Sequence, residues 1–402
     1  MIHLERLALA AAGAFIIRTM SVTLRSRQRI DVLEAADALG SLSIIVPARN
    51  EEHQIEQCVR SLLAQRYPDF EVIAVDDCST DRTPKILESI ARSDSRLRVV
   101  RGGALPHGWV GKPWALAQGA RHAVGTWLLF TDADTLHEPL AAASAVAYAR
   151  KTGTQVLSLL TAQRFETLAE RMFLPTILWM IAFSVGSLDA INDPKRADAA
   201  IFNGQFILFE RGAYQALGGH AAVRDCIAED YEFARLIKRD FRFRSRLAGA
   251  ADLVSTRMYR SFPEIWNGFS KNLYVAAQDA PVAAIFGTVM LAALSPLPEL
   301  LAVRAMCKRD FRRALRMLAL IAATMTAAEA GMRSARFPRG SGVYFPAGVA
   351  AMLAIFLNST LQHSTGRVTW RGRSYRHSKR TGGAPSQTSS GLWKPKQSKK
   401  NR

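Results

Sequence analysis

The run Leu128-Leu129-Phe130-Thr131-Asp132-Ala133-Asp134 sets two carboxylates one residue apart directly after an apolar stretch. Trp127 to Phe130 reads as a short parallel strand, hydrophobic on both faces. A strand ending in Asp-x-Asp carries its carboxylates to the carboxyl edge of an α/β sheet, where such sheets bind ligands. Two like charges that close repel, and a divalent cation relieves the repulsion. A cation held by one or two carboxylates takes its remaining oxygens from water and phosphates. Taken alone, the pair is more readily a helix N-cap with a spare acid, because Asp caps well. The surrounding elements shift that balance.

Ser41–Val46 is a strand rich in β-branched residues, expected to halt at Pro47. Ala48-Arg49-Asn50-Glu51-Glu52 follows, then a helix with Ile55, Val59, Leu62 and Leu63 on one face. Phe70–Val75 is the next strand and runs into Asp76-Asp77, with Ser79, Thr80 and Asp81 as cap candidates for the helix carrying Ile86, Leu87 and Ile90. Leu97–Val100 is a third strand. Gly111-Lys112-Pro113 opens a helix that precedes the Trp127–Phe130 strand. The order is βαβαβαβ, a parallel sheet with crossover helices. Strand ends bearing Arg49 and Glu51, Asp76 and Asp77, and Asp132 and Asp134, with Lys112 in a loop, suit a nucleoside diphosphate and its metal ion. The chain lacks G-x-G-x-x-G and G-x-x-x-x-G-K-[ST], which argues against a Rossmann dinucleotide site and a P-loop.

The 402 residues allow one sizeable domain with extras, or two domains, and carry a formal net charge of +19. Much of the excess sits in the tail: from His363 to Arg402 there are eleven Lys or Arg and no acid. That tail is expected to be largely disordered and to meet anionic lipid headgroups. No nucleic-acid module is evident. Cys58, Cys78, Cys226 and Cys307 are scattered, against a zinc site or disulfide framework.

Leu7–Ile17 is too short for a confident span, and Leu7–Leu24 is a marginal anchor with Arg18 inside it. No convincing cleavage site marks a signal peptide. Three later stretches are candidates for membrane helices. Val282–Val303 is interrupted by Pro296, Pro298 and Glu299, so it is expected to be kinked or re-entrant; Met317–Met332 carries Glu329; Gly342–Gln362 has no charged residue. Arg304, Lys308, Arg309, Arg312, Arg313 and Arg316 precede the second of these stretches. If positive loops stay inside, that loop and the tail are cytoplasmic. A full first span would then put the preceding residues outside, away from cytoplasmic nucleotide sugars. Either the first stretch is re-entrant or the basic loop faces outward.

Pro47-Ala48-Arg49-Asn50-Glu51, Val75-Asp76-Asp77-Cys78-Ser79-Thr80-Asp81, Gly111-Lys112-Pro113-Trp114-Ala115-Leu116 and Thr131-Asp132-Ala133-Asp134 occur in this order. Asn203-Gly204-Gln205-Phe206, Gly218-Gly219-His220 and Ala228-Glu229-Asp230 follow. The series resembles family 2 glycosyltransferases of GT-A fold. Met258–Phe262, Trp266, Gly268–Asn272 and Val368–Tyr375 resemble the membrane-bound branch that glycosylates carotenoids, hopanoids and related lipids. Each motif is weak alone; the ordered set, covering roughly Ser41 to Tyr375, is strong.

The resemblance implies an α/β GT-A domain over residues 41–275, preceded by an apolar segment and basic linker over 1–40. Transmembrane or interfacial helices follow over 280–362, then the basic tail over 363–402. It implies an inverting, metal-dependent transferase at the inner membrane, multi-pass, with its catalytic domain cytoplasmic. Asp134 would ligate Mg²⁺ or Mn²⁺, and Asp132 would face ribose or metal. Asp77 would contact base, ribose or metal. Pro47, Arg49 and Glu51 line the nucleotide pocket, Asp76 either joins them or serves the following turn, and Lys112 is a candidate for the donor phosphates. Asp230 would be the general base, with Glu229 as competitor; an unperturbed Asp is ionised at neutral pH and such a base contributes ~10²–10⁴-fold. Trp266 and Lys271 sit where Q-x-x-R-W of processive synthases would lie, and the absence of that signature favours single-sugar transfer to a lipid over a processive polysaccharide synthase. His220 is a candidate sugar contact or a packed turn residue. The run Met172–Phe183 is expected either to lie in the membrane interface near an acceptor path or to be a core helix. A sugar-phosphate nucleotidyltransferase would need glycines that Pro47–Glu51 lacks. An inactive nucleotide- or lipid-binding scaffold would have lost metal or base carboxylates, yet Asp77, Asp132, Asp134 and Asp230 are all present.

Overall fold

The computed structural model describes residues 2–25, 30, 39–196, 199–239, 243–277, 281–364, 368–370 and 373–375. A 24-residue helix, α1 (Ile2–Arg25), precedes the sheet. Then β1 (Leu42–Ala48), α2 (Ile55–Leu63), β2 (Phe70–Asp76), α3 (Thr83–Ser93), β3 (Leu97–Arg101), α4 (Gly111–His122) and β4 (Trp127–Thr131) alternate as the apolar pattern requires. Next come β5 (Thr135–His137), α5 (Ala141–Thr152), β6 (Val156–Leu160), β7 (Ala162–Gln163), α6 (Leu168–Val185), α7 (Leu188–Asn192), β8 (Phe206–Glu210) and α8 (Arg211–Ala216). The sheet-bearing half closes with α9 (Glu229–Arg239), β9 (Ser245–Gly249), β10 (Val254–Thr256) and α10 (Phe262–Ala277).

Seven strands form the central sheet in the order β3-β2-β1-β4-β8-β6-β9, with only β8 antiparallel to its neighbours. Alternating side chains supply its two cores. Ile44, Val46, Val72 and Ala74 pack with α2, α3 and α5, whereas Ile45, Ile73, Val75 and Phe130 pack with α4, α8 and α9. A small second sheet, β5-β10-β7, lies beside the end of β4.

β1 continues past the expected stop at Pro47. Pairing of β1 with β4 ends at Ile45, while Pro47 remains in register with Val75 of β2. The proline therefore lies beyond the β4 ladder, where a missing N–H costs little.

The C-terminal elements are α11 (Pro281–Leu294), α12 (Leu297–Cys307), α13 (Phe311–Ser334), α14 (Phe345–Ser364) and the hairpin strands β11 (Val368–Trp370) and β12 (Arg373–Tyr375). The expected break in the first apolar stretch falls at Ser295-Pro296, between α11 and α12. The second stretch is longer than the apolar run suggested, because Asp310 caps α13 by accepting the Arg313 N–H at 3.1 Å. Helices α1, α11, α12 and α13 pack as one group, and α6, α10 and α14 as another. Four helical stretches, Ile2–Leu24, Ala284–Cys307, Phe311–Ser334 and Ser341–Gln362, are long and apolar enough to cross a membrane. Within α1, Arg18 is accommodated by donating to the Phe183 carbonyl at 2.8 and 3.0 Å at the end of α6. The late Val368–Tyr375 motif forms a hairpin rather than the start of a structureless tail; residues 376–402 lie outside the described residues.

Candidate active site

The loops after β1 and β2 are laced together at the carboxyl edge. The Arg49 guanidinium donates to the Asp77 carbonyl at 2.6 Å, and the Asp77 N–H to the Ala48 carbonyl at 2.8 Å. The Thr80 N–H donates to Asn50 Oδ1 at 2.8 Å, and the Glu51 N–H to Thr83 Oγ1 at 2.8 Å. Asn50 and Cys78 both adopt left-handed backbone, at φ 54° and 55°, turning the chain sharply after each strand. Such conformations are uncommon outside glycine and cluster at functional sites. Asp76 accepts the Ser79 N–H at 3.2 Å, so it serves the turn, while Asp77 is buried at the strand end. Pro47, Arg49 and Glu51 are half-buried along the same edge. Gly102 lies so near that a Cβ there would stand 2.7 Å from the Asp76 carbonyl oxygen.

Lys112, in the first turn of α4, reaches the end of β4. Its ammonium stands 2.7 Å from Asp132 Oδ1 and 2.7 Å from Glu229 Oε1. Burial opposes the lysine's charge, but Asp132, Glu229 and Asp230 together hold its pKa well above the ordinary value. Burial pushes Glu229 upward, and Lys112 counters it. Asp230, more exposed than Glu229, accepts the Gly204 N–H through Oδ2 at 3.0 Å and the Tyr231 N–H through Oδ1 at 2.8 Å. One ammonium thus joins the strand-end acid Asp132 to the acidic start of α9.

Beneath Asp132 lies a support that the motifs do not reveal. Thr131 Oγ1 hydrogen-bonds with Thr135 Oγ1 at 3.0 Å and His137 Nε2 at 3.1 Å, and donates to the Gln205 carbonyl at 2.7 Å. Thr135 Oγ1 donates to the Asp132 carbonyl at 2.8 Å. Burial lowers His137 to about 3, so the ring is neutral. On the other side, the Asp134 carbonyl accepts from Thr256 Oγ1 at 3.2 Å. The neighbouring Arg257 pairs with Glu166 at 2.7 Å and with fully buried Glu170 at 2.9 Å. Glu170 also closes the capping box of α6 with Thr167. The strand end bearing Asp134 is therefore tied to α6.

Three expected acceptor-side residues belong to other clusters than that of Lys112. His220 is 3% exposed, bonded through Nδ1 to the Tyr214 hydroxyl at 2.8 Å, with the Phe130 and Phe233 rings 4.6 and 5.1 Å away. It is a packed core histidine, lowered to about 3 by burial and by the Lys112 charge, which fits the packed-turn alternative and not the sugar contact. Trp266 belongs to the apolar cluster between α6, α10 and α14, and Lys271 is half-buried further along α10. Met172–Phe183 lies inside α6, whose Leu174 and Ile177 are buried against α10 and α14.

Residues 43–218 match the family described as glycosyl transferase family 2. The 4,4'-diaponeurosporenoate glycosyltransferase of Staphylococcus haemolyticus (strain JCSC1435) is 27% identical over 285 residues, 69% of this chain and 73% of the relative. The protein of the same name from Staphylococcus aureus (strain USA300) is 27% identical over 348 residues, 84% and 89% of the two chains. Among solved structures, the mannosyltransferase from Pyrobaculum calidifontis in complex with GDP-Man and Mn²⁺ superimposes with a TM-score of 0.51 at 20% identity, covering 89% of this chain and 98% of that one. The mostly parallel sheet agrees with these matches: residues 43–218 match a glycosyl transferase family 2 domain on a GT-A fold, and the chain is a glycosyltransferase.

Proposed function

We propose that this chain transfers a single sugar, with inversion, from a nucleoside diphosphate donor to the hydroxyl or carboxyl of a large polyisoprenoid-type lipid at the cytoplasmic face of the inner membrane. The observation that carries the reading is the Asp132–Lys112–Glu229 bridge beside Asp230, set next to a layer of apolar helices. A cationic group held among acidic strand ends, beside a hydrogen-bonded carboxylate, supports diphosphate binding and deprotonation of the acceptor.

The edge suits a hard divalent cation. Asp132 and Asp134 offer carboxylate oxygens, and the cluster already accommodates a positive charge, the Lys112 ammonium. Among the described residues no group of three or more His, Cys, Asp or Glu gathers for a metal. That matches a cation completed by phosphate oxygens rather than caged by protein. Asp134 and Asp132 would hold Mg²⁺ or Mn²⁺, which when bound neutralises the charge on the departing diphosphate.

The chain's own groups do the rest. Pro47, Arg49, Glu51 and Asp77 border the nucleotide, and Lys112 moves from Asp132 toward the diphosphate oxygens as the donor enters. Asp230 is the base, oriented by the Gly204 and Tyr231 N–H groups, whereas Glu229 is buried and committed to Lys112. Trp266 and the α6–α10–α14 cluster shelter the acceptor's apolar body. The relatives' name, a glycosyltransferase for diaponeurosporenoate, supports an acceptor of this kind. Absence of Q-x-x-R-W supports one transfer rather than a growing polymer.

The test supplies radiolabelled nucleotide sugars to membranes containing the chain, followed by solvent extraction. Label should enter the organic phase as a lipid bearing one sugar. Label kept in water as oligosaccharide overturns the lipid acceptor, and a ladder of sugars on one lipid overturns single transfer.

A further inference from the structure

The helices beside the catalytic half have two chemically different ends. Glu5, near the start of α1, forms a half-buried ion pair with Arg313, near the start of α13. At the other end Thr19 of α1 and Trp179 of α6 pack against Gly331, where a Cβ would stand 3.0 Å from Thr19 and 2.3 Å from the indole. Helices α1 and α13 therefore run parallel. Their C-terminal ends meet the catalytic half: Arg336 pairs with Asp252 between β9 and β10, and the Phe337 ring lies 5.7 Å from that of Phe165. From Arg313 to Gly331 the helix rises about 27 Å, close to the ~30 Å hydrocarbon core of a bilayer.

The far end is the turn between α12 and α13. Arg304, Lys308, Arg309, Arg312 and Arg316 are exposed there, with Asp310 the one acid among them. Interleaved on the same hairpin, Val303, Met306, Phe311 and Leu315 are 55–69% exposed. Arg313 is neutralised by Glu5, so the other five carry the excess. Long basic side chains above large exposed apolar ones suit the boundary between acyl chains and phosphate.

We propose that the α12–α13 turn, with the first turn of α1, is a binding surface for the headgroups of anionic phospholipid in the leaflet opposite the catalytic half. The inference rests on the membrane reading given above and adds to it which side, and which lipid, this end meets. Loop charge alone would draw the turn to the cytoplasm. The parallel packing of α1 and α13 opposes that, because the catalytic half is anchored at their other ends. Basic groups held on the far side are then matched by phosphates of that leaflet.

Two native thiols make the sidedness measurable. Cys307 is exposed in the turn and Cys78 is exposed at the nucleotide edge. Intact spheroplasts and inverted vesicles containing the full chain would be treated with a membrane-impermeant maleimide, each site being assigned by the loss of label in Cys307→Ser or Cys78→Ser. The expected result is that Cys307 and Cys78 react from opposite sides. Reaction from the same side, or no reaction of Cys307 from either, overturns the proposal. Lipid choice is read in nanodiscs with spin-labelled phosphatidylglycerol and phosphatidylcholine. Arg304→Gln, Lys308→Gln, Arg309→Gln, Arg312→Gln and Arg316→Gln combined should lower the preference for phosphatidylglycerol at least threefold, with sugar transfer retained. An unchanged preference, or one lost only when Lys394, Lys396, Lys399 and Lys400 of the tail are replaced by Gln, overturns the headgroup assignment. Sugar transfer to a soluble acceptor would instead remove the lipid-acceptor reading while leaving the sidedness result to stand.

Discussion

Gly204 shows how little room the Lys112–Asp230 cluster leaves. A Cβ there would lie 3.0 Å from Asp230 Oδ2 and 3.3 Å from Lys112 Nζ. Gly204→Ala must displace one of these by a few tenths of an ångström. Small misplacements of reacting groups cost up to ~10²-fold, so kcat should fall by roughly 10–10²-fold with donor binding and melting temperature nearly unchanged. A normal kcat would show that this carboxylate tolerates the shift and is not positioned for proton transfer. Asp230→Asn should bind donor normally and lose transfer by ~10²–10⁴-fold; the same pattern in Glu229→Gln would exchange the two roles. Asp134→Asn should abolish transfer, as should excess chelator with the unaltered chain. Full activity in either experiment would remove the metal from this edge.

At the scale of elements, β4 depends on histidines that must stay neutral. His137 and His220 are held near 3 by burial, against an ordinary value of 6.5. The unfolded chain therefore binds two protons below pH 6.5 that the folded chain refuses until about pH 3. Their contribution is complete above 6.5 and is lost as pH falls toward 3, at about 1.4 kcal/mol per pH unit for each histidine. Thermal unfolding in detergent should show that slope, and His137→Gln should remove about half of it. A melting temperature flat between pH 6.5 and 4 would contradict the buried neutral rings. The sequence announces β4 and its two acids, because an apolar run stops abruptly in Asp-x-Asp. It also announces Lys112 and Glu229-Asp230, each opening a helix. It does not announce that Lys112 meets Glu229, or that Thr131, Thr135 and His137 brace the strand end, since those contacts depend on how the elements pack. The two glycines before His220 leave both a sugar contact and a packed turn open, and only the enclosing Tyr214, Phe130 and Phe233 decide for packing. The start of α13 was hidden because Arg312, Arg313 and Arg316 read as loop, whereas an Asp310 cap and the Glu5 partner make them helical.

For the whole molecule, the two halves share their apolar surface. Ile355 of α14 is completely buried in one cluster with Leu174 and Ile177 of α6 and Ile265 and Phe269 of α10. Truncation after Ala280 would strip α14 from those residues. The expected product aggregates instead of yielding a soluble transferase, and the full chain needs detergent for extraction. A monomeric, active truncated protein on size-exclusion chromatography would show that the catalytic half stands alone. Recovery of the intact chain in a high-speed supernatant without detergent would refute membrane residence.

The ion pair between Glu5 and Arg313 also bears on the order in which the molecule is assembled during synthesis. Helix α1 is made first, but its partner α13 emerges only after the whole catalytic half has been translated. Domains fold largely as units from the N-terminus during synthesis, so α1 is made carrying an acid and Arg18 whose partners do not yet exist. Arg18 is satisfied once α6 is in place, and Glu5 only when α13 arrives. A nascent chain interrupted before α13 thus carries an unmatched carboxylate near its first turn. That unpaired charge is a physical difference between the unfinished chain and the complete one.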